Sequence, residues 1–176
     1  MKEKIDVFDY SVKFTKDVMK GFLLTTKANG KVNSMVIGWG TIGIQWGKPI
    51  CIVYVRTSRY THKLLEENPE FTVNIPIDRL GEDVFRICGS LSGKDMDKIK
   101  EANLTLVEGE CVSVPAIKEA PITLECKVIY KQTQVVEDYA EDIRKKYYCN
   151  GEGKAEGQQA VHTAFYGEIV NAYMIK

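Results

Sequence analysis

The sequence predicts a mainly β protein of the α+β class, an antiparallel barrel with helices attached to its outside. Strand-length segments rich in branched and aromatic residues outnumber segments with helical spacing. Tight-turn signals stand between them. The strands are not separated by regular helices, which argues against a doubly wound parallel sheet. All 176 residues read as a single domain, large enough to bury a core without disulfides or metals.

After a polar leader, Phe22 to Lys27 reads as a strand, and Asn29-Gly30 marks a hairpin turn leading into Val32 to Ile37. Gly38 to Gly43 is a glycine-rich extended segment. Ile50 to Val55 is apolar at nearly every position, so burial on both faces is expected. A helix follows, capped by Thr57 or Ser58 and closed by Asn68-Pro69. Glu70 to Ile75 alternates as a strand up to Pro76, and Leu80 to Cys88 has helical spacing.

Gly89 to Lys94 is a loop, and Asp95 to Ala102 a short helix capped by Asp95 or Ser92. Leu104 to Val107 and Cys111 to Val114 read as short strands around a Glu-Gly turn. Ile122 to Val136 is a long alternating strand. Asp138 to Tyr148 is a polar helix, 150–159 a glycine-rich charged loop, and His162 to Ile175 a closing alternating strand.

Composition excludes several roles. Basic and acidic side chains number 24 each, and binders of nucleic acid or anionic membranes rely on a cationic excess. No apolar run approaches the roughly 20 residues of a membrane span. The start, Met1 to Asp6, lacks an apolar signal-peptide core. Five dispersed cysteines form no C-x-x-C pair, so they predict core packing in a reducing cytosol rather than a metal site or disulfide framework.

The stretch from Val55 to Leu65 carries the chemistry. A helix N-terminus favours anions, yet Arg56 precedes this one and Arg59 sits at its start. Two cations at the positive end of a dipole are consistent with a bound anion between them. Thr57, Ser58 and Thr61 add hydroxyls, so the set suits a phosphate; the plainer reading is arginines running out into solvent.

Two motif matches fail on context. Gly38-x-Gly40-x-x-Gly43 matches the dinucleotide fingerprint, but it leads into Ile44 to Pro49 and a strand rather than a helix. What remains is a glycine-rich shelf for a flat ligand, or a barrel bend with core tryptophans. Gly89 to Asp95 resembles a P-loop, but its glycines are too close and Asp95 stands where a hydroxyl belongs. His62 reads as structural or solvent-facing, and His162 as a strand-end hydrogen-bonding residue or a catalytic one. The 141–146 charge run reads as a solvated helix face.

In order, Asn33 to Thr41, Lys48-Pro49, Tyr54-Val55-Arg56-x-Ser58-Arg59-Tyr60-Thr61, Phe71 to Asn74 and Cys88-Gly89-Ser90-x-Ser92-Gly93-Lys94-Asp95 resemble the flavin reductase-like family, in its flavoredoxin branch. The closing His162-x-x-x-Tyr166-Gly167-Glu168-Ile169 is similar to that family's last strand. The resemblance implies a split β-barrel that dimerises and holds FMN near the dimer interface. It places the FMN phosphate on Arg56, Ser58, Arg59, Tyr60 and Thr61. It runs Asn33, Ser34, Met35, Ile37, Gly38, Trp39, Gly40 and Thr41 past the ring, and lays Ser92, Gly93, Lys94 and Asp95 over the ribityl chain or the ring from the other side.

The implied activity is NAD(P)H-dependent: electrons pass from NADH or NADPH through FMN to an acceptor, with His162 at the substrate side and no metal. A non-catalytic FMN carrier reduced by a protein partner is the alternative, and a flavin-free binding barrel the third. A cytoplasmic homodimer is expected.

Overall fold

The computed structural model describes residues 1–148 and 160–176. The loop expected over 150–159 and Cys149 lie outside the described residues. Strands β1 (Lys2–Lys4), β2 (Phe22–Ala28), β3 (Lys31–Ile37), β4 (Gly40–Gln45) and β5 (Lys48–Arg56) are followed by β6 (Glu70–Ile75) and the short β7 (Leu106–Val107) and β8 (Ala116–Ile117). The long β9 (Ile122–Thr133) and β10 (His162–Ile175) complete them. The helices are α1 (Ser11–Asp17), α2 (Tyr60–Glu67), α3 (Glu82–Ser90), α4 (Lys98–Glu101) and α5 (Glu141–Tyr147).

The main sheet has the order β3-β2-β6-β9-β10-β5-β4, with β1 paired to β10, and every pairing is antiparallel. Ile37 from one edge strand and Ile42 from the other pack into the same apolar cluster. The sheet therefore curls into a barrel that stays open between β3 and β4, as expected for a split barrel.

Strand alternation builds the interior. Phe22 and Leu24, Cys51, Val53 and Val55, Phe71, Val73 and Ile75, and Ile122, Leu124 and Cys126 all turn inward. Leu23 points the other way, into a second cluster with Leu80, Ile87 and Cys88 beneath α3. The helices thus cover one outer face, while β5 is only partly covered: Ile52 and Tyr54 are half-exposed between buried neighbours. The expectation of burial on both faces of β5 is corrected; of its outer residues, Tyr54 and Arg56 border a cleft instead.

The hairpin at Asn29-Gly30 forms with positive φ at both residues, 51° and 76°. A second hairpin, unread in the sequence, turns at Trp46-Gly47 with φ of 53° and 68°. Trp46 occupies the αL position that usually goes to Asn or Gly, so composition hid the turn.

Several boundaries move. The cap of α2 is Arg59, not Thr57 or Ser58, and no side chain closes it; a turn from Arg59 N to Arg56 O, 2.9 Å, delays the helix. Asp97, rather than Asp95 or Ser92, caps α4, accepting from Ile99 N and Lys100 N. Cys111 to Val114 is not a strand, because β7 pairs with β8 further along. The polar helix begins at Glu141, three residues later than expected. Cys51, Cys88 and Cys126 are buried as expected, but Cys111 is exposed.

The polar leader is more than a leader. Val7, Phe14 and Val18 join the main cluster, and the Phe14 ring meets Phe22 edge-on at 5.3 Å between centroids. Asp6 caps the turn ahead of α1 by accepting from Phe8 N at 2.9 Å. This short segment plugs the barrel. Phe14→Ala should therefore cost about 3–5 kcal/mol of unfolding free energy, read from the urea midpoint, because it empties a sealed site. A loss under about 1 kcal/mol would show that the plug is dispensable.

Candidate functional site

The site lies where α2 begins, between β3, the start of β4 and the first residue of β10. Strand register sets it: His162 pairs with Arg56 across β10 and β5, and Thr57 N donates to Val161 O at 3.0 Å. Met35, Gly38, Trp39, Tyr54, Arg59 and His162 border a cleft of about 180 Å³. Such a space is smaller than the roughly 300 Å³ at which small-molecule sites begin. The cleft continues past Met35 and Arg59 into a narrow hollow of about 20 Å³, lined also by Asn33, Thr61, Ser92 and Lys98. From Tyr60 it opens into a third space of about 500 Å³ beside Gly93, Lys94 and Asp95. The three spaces adjoin through shared lining residues, Met35 and Arg59 between the first two and Tyr60 between the last two. Together they form one trough.

Most of the residues singled out in the sequence converge here, though not all through their side chains. Asn33 is buried; its Nδ2 donates to Thr61 Oγ1 at 2.8 Å, and its Oδ1 has no hydrogen-bond partner among the described residues. Gly93 comes so close that a Cβ there would stand 1.9 Å from Asn33 Oδ1. Only glycine lets the loop close over the strand at that point.

Ser34 faces the opposite side of β3, its hydroxyl 3.1 Å from Thr25 Oγ1, so only its backbone borders the trough. Gly40 turns toward the barrel interior, where a Cβ would meet Phe14 and Ile52 O at 3.2 Å. Thr41 is an exposed β4 residue paired with Ile52. Ser58 is exposed in the turn before α2.

The two arginines differ. Arg56 donates from Nη1 to Ala160 O at 2.8 Å and from Nη2 to Tyr147 O at 3.5 Å, and its guanidinium lies 5.5 Å from the Tyr148 ring centroid. Burial holds its pKa below the ordinary value. The Arg59 side chain is exposed and makes no hydrogen bond or ion pair among the described residues. His162 is buried, its Nδ1 2.7 Å from the Tyr148 hydroxyl and its ring 4.9 Å from Trp39. Burial, with Arg56 and Arg59 adding repulsion, pulls its pKa down to about 4.

The flavin reductase like domain model matches residues 20–176. This chain belongs to the flavin reductase like family. Its likeness to flavoredoxins is direct. The flavoredoxin of Desulfovibrio vulgaris (Miyazaki F) superposes with a TM-score of 0.65 at 26% identity, over 89% of this chain and 69% of that one. The flavoredoxin of Methanosarcina acetivorans gives 0.62 at 28% identity, over 89% and 68%. An uncharacterized protein of Archaeoglobus fulgidus is 39% identical over 99 residues, 56% of this chain and 55% of that relative's length. The family match begins at residue 20, so the plug carrying Phe14 lies outside it.

Sequence reasoning missed Tyr54, Tyr147, Tyr148 and Lys98. Tyr147 meets Trp39 edge-on at 5.2 Å, and Tyr139 stacks on Tyr148 at 4.4 Å. Two adjacent tyrosines at the end of a charged helix were the available signal. The charge run itself behaves as expected, with Glu141 and Lys145 paired in solvent. His62 is structural: its Nε2 lies 2.9 Å from Thr163 Oγ1.

His162 sets a pH dependence whose sign follows from its depressed pKa. Between an ordinary value near 6.5 and about 4, the unfolded chain binds a proton that the folded chain refuses. Stability is therefore full above about pH 6.5 and falls as the pH drops through that window. His162 should contribute a loss on the order of 3 kcal/mol, at about 1.4 kcal/mol per pKa unit. Urea unfolding at pH 7 and pH 4 of the wild type and His162→Gln isolates it, since His62 titrates in both. Equal losses in the two proteins would count against a buried neutral imidazole.

Proposed function

We propose that this chain holds FMN in the trough and works as a flavin reductase-type oxidoreductase, passing electrons from NADH or NADPH to an acceptor. The observation that carries the reading is Arg59 at the start of α2, an uncommitted guanidinium beside Tyr60 and Thr61 and continuous with the Met35 to Trp39 wall. The residues present fit the cofactor in three ways. A cation at a helix N-terminus suits a phosphate. The orphaned Asn33 Oδ1 takes a donor, such as a ribityl hydroxyl. Gly38 leaves backbone groups of its strand end accessible to the polar edge of a flat ring.

Bound FMN would supply two-electron redox chemistry between a reduced nicotinamide and the acceptor. The protein's part is placement and electrostatics. Arg59, Ser58, Tyr60 and Thr61 hold the phosphate, while Arg56 adds positive potential from behind its carbonyl partners. Asn33 through Thr41 present the ring-side backbone, with Met35, Ile37, Gly38 and Trp39 as the wall. Ser92, Gly93, Lys94 and Asp95 cover the open side. His162 stays neutral, so it stands beside the ring without adding a further full charge to the two arginines of the cleft. It borders the substrate side, and hydride transfer asks no proton of it.

A second reading, a non-catalytic carrier reduced by a protein partner, is supported by Trp39, which with Tyr147 and His162 crowds the face where a nicotinamide would stack. In either case the reading is of a cytoplasmic homodimer built from one cofactor-binding domain. Exposed Ile44, Trp46, Ile129 and Tyr130 supply an apolar surface for the partner copy. A monomeric mass in solution would count against the dimer.

The visible spectrum after FMN reconstitution, followed by anaerobic NADH and NADPH, tests the function. Retained FMN bleached by either nucleotide is the expected result. Bleaching only by a low-potential protein donor selects the carrier, and failure to bind any flavin defeats both. Arg59→Ala should raise the FMN Kd by about 10- to 100-fold with an unchanged melting temperature; an unchanged Kd would remove Arg59 from the phosphate site.

A further inference from the structure

Lys98 is the one buried ammonium in the described core, at 4% exposure, and it is not among the expected site residues. Its Nζ donates to Cys88 O at 3.1 Å and Leu91 O at 3.3 Å, the carbonyls at the end of α3. That leaves a third N–H. Among the described residues no carboxylate lies within ion-pair distance of it. Burial brings the Lys98 pKa down to about 8, with Cys88 opposing and the neighbouring Arg59, another cation, adding to the fall. A buried cation with no counterion, next to a second one, is a costly arrangement unless an anion completes it.

The surroundings say which anion. Lys98 lines the narrow hollow in the middle of the trough together with Arg59, Thr61, Ser92 and Asn33. Its free space of about 20 Å³ takes a single oxygen atom and not a ring. The acceptor Asn33 Oδ1 in the same hollow asks for a hydroxyl, while Lys98 and Arg59 ask for negative oxygen. A chain bearing hydroxyls and ending in phosphate meets both demands.

We propose that Lys98 is a phosphate-binding residue, a second cation that closes on the phosphate from the α3–α4 side opposite Arg59 and so lets the site choose phosphorylated flavin over riboflavin. This rests on the FMN reading above. Lys98 is preorganised: two of its donors are fixed by helix-end carbonyls, so little side-chain freedom is lost when the third meets the ligand. Lys94, exposed and untethered four residues earlier, has no such fixing.

The test compares FMN with riboflavin by fluorescence quenching in the wild type, Lys98→Met and Lys98→Gln. Methionine keeps the volume, and glutamine keeps a donor for the helix-end carbonyls. Expected is a loss of FMN affinity of about 10- to 100-fold in both variants with riboflavin affinity within about twofold. Removing an unbalanced buried charge should leave the melting temperature of the flavin-free protein unchanged or higher.

Calorimetry of the wild type at pH 8.5 in buffers of different ionisation enthalpy gives a readout free of substitution. FMN binding should take up a proton at Lys98 and riboflavin binding should not. Cys88, whose pKa burial raises, keeps its proton in that experiment. An unchanged FMN-to-riboflavin ratio in the variants, or equal proton uptake for both flavins, overturns the Lys98 assignment while leaving the FMN reading standing. Wild-type protein that binds neither flavin overturns both.

Discussion

The register of the closing strand is the constraint on which the site depends. β10 runs the full height of the barrel, paired with β9 on one side and β5 on the other. A slip of one residue would turn Phe165 and Ile169 outward and move His162 away from Arg56. Two irregularities, at Tyr166/Gly167 and Ile169/Asn171, let so long a strand follow the curl. Gly167 is required there, because a Cβ would come within 2.8 Å of Phe71 and the Cys126 Cβ. The far end is held by Glu125, whose buried carboxylate accepts from Glu110 N, Cys111 N and Tyr173 Oη. That anchoring burdens the strand with a charge but satisfies it fully, in contrast to the cations at the other end.

At the trough the protein keeps positive charge without compensation. Arg59 stands near both Arg56 and Lys98, and His162 and Lys98 respond in the same direction, both losing proton affinity. Arg56 itself is depressed chiefly by burial, with Arg59 adding to it. Elsewhere the chain pairs its ions readily, as in Lys13–Asp17 and Lys48–Glu168. Chain-wide neutrality thus averages over paired surface ions and a trough in which Arg59 and Lys98 have no carboxylate partner among the described residues. Folding alone gives no reason to maintain such a trough; anion binding does.

Much of this was readable before any coordinates. Period-two alternation gave β6, β9 and β10, while branched residues ahead of the Asn29-Gly30 turn gave β2. The odd cations around Arg56 and Arg59 located the trough, because they contradict the helix dipole. What stayed hidden was set by tertiary context. Phe14 sits in a polar stretch and becomes core only because the barrel end is open. Trp46 turns a hairpin in a conformation that its residue type does not advertise. Lys98 looks like any surface lysine of a short helix until the α3 carbonyls and Arg59 surround it.

The difference between the two arginines follows from the same geometry. Arg56 lies on β5 opposite His162, so its side chain meets the strand end and the α5 terminus, and carbonyls of Tyr147 and Ala160 take its donors. Arg59 is four positions from Cys51-Ile52-Val53-Tyr54-Val55 in covalent reach but already past the turn, where no strand neighbour can claim it. One residue joins the walls of the cleft, and the other faces the space they enclose. Tyr148 links the two roles, touching Arg56 with its ring and His162 with its hydroxyl. A displacement of the α5 end would therefore reach the histidine, the fixed arginine and, through Tyr147, Trp39 together. The aromatic groups at the mouth and the fixed arginine are thus joined through the end of α5.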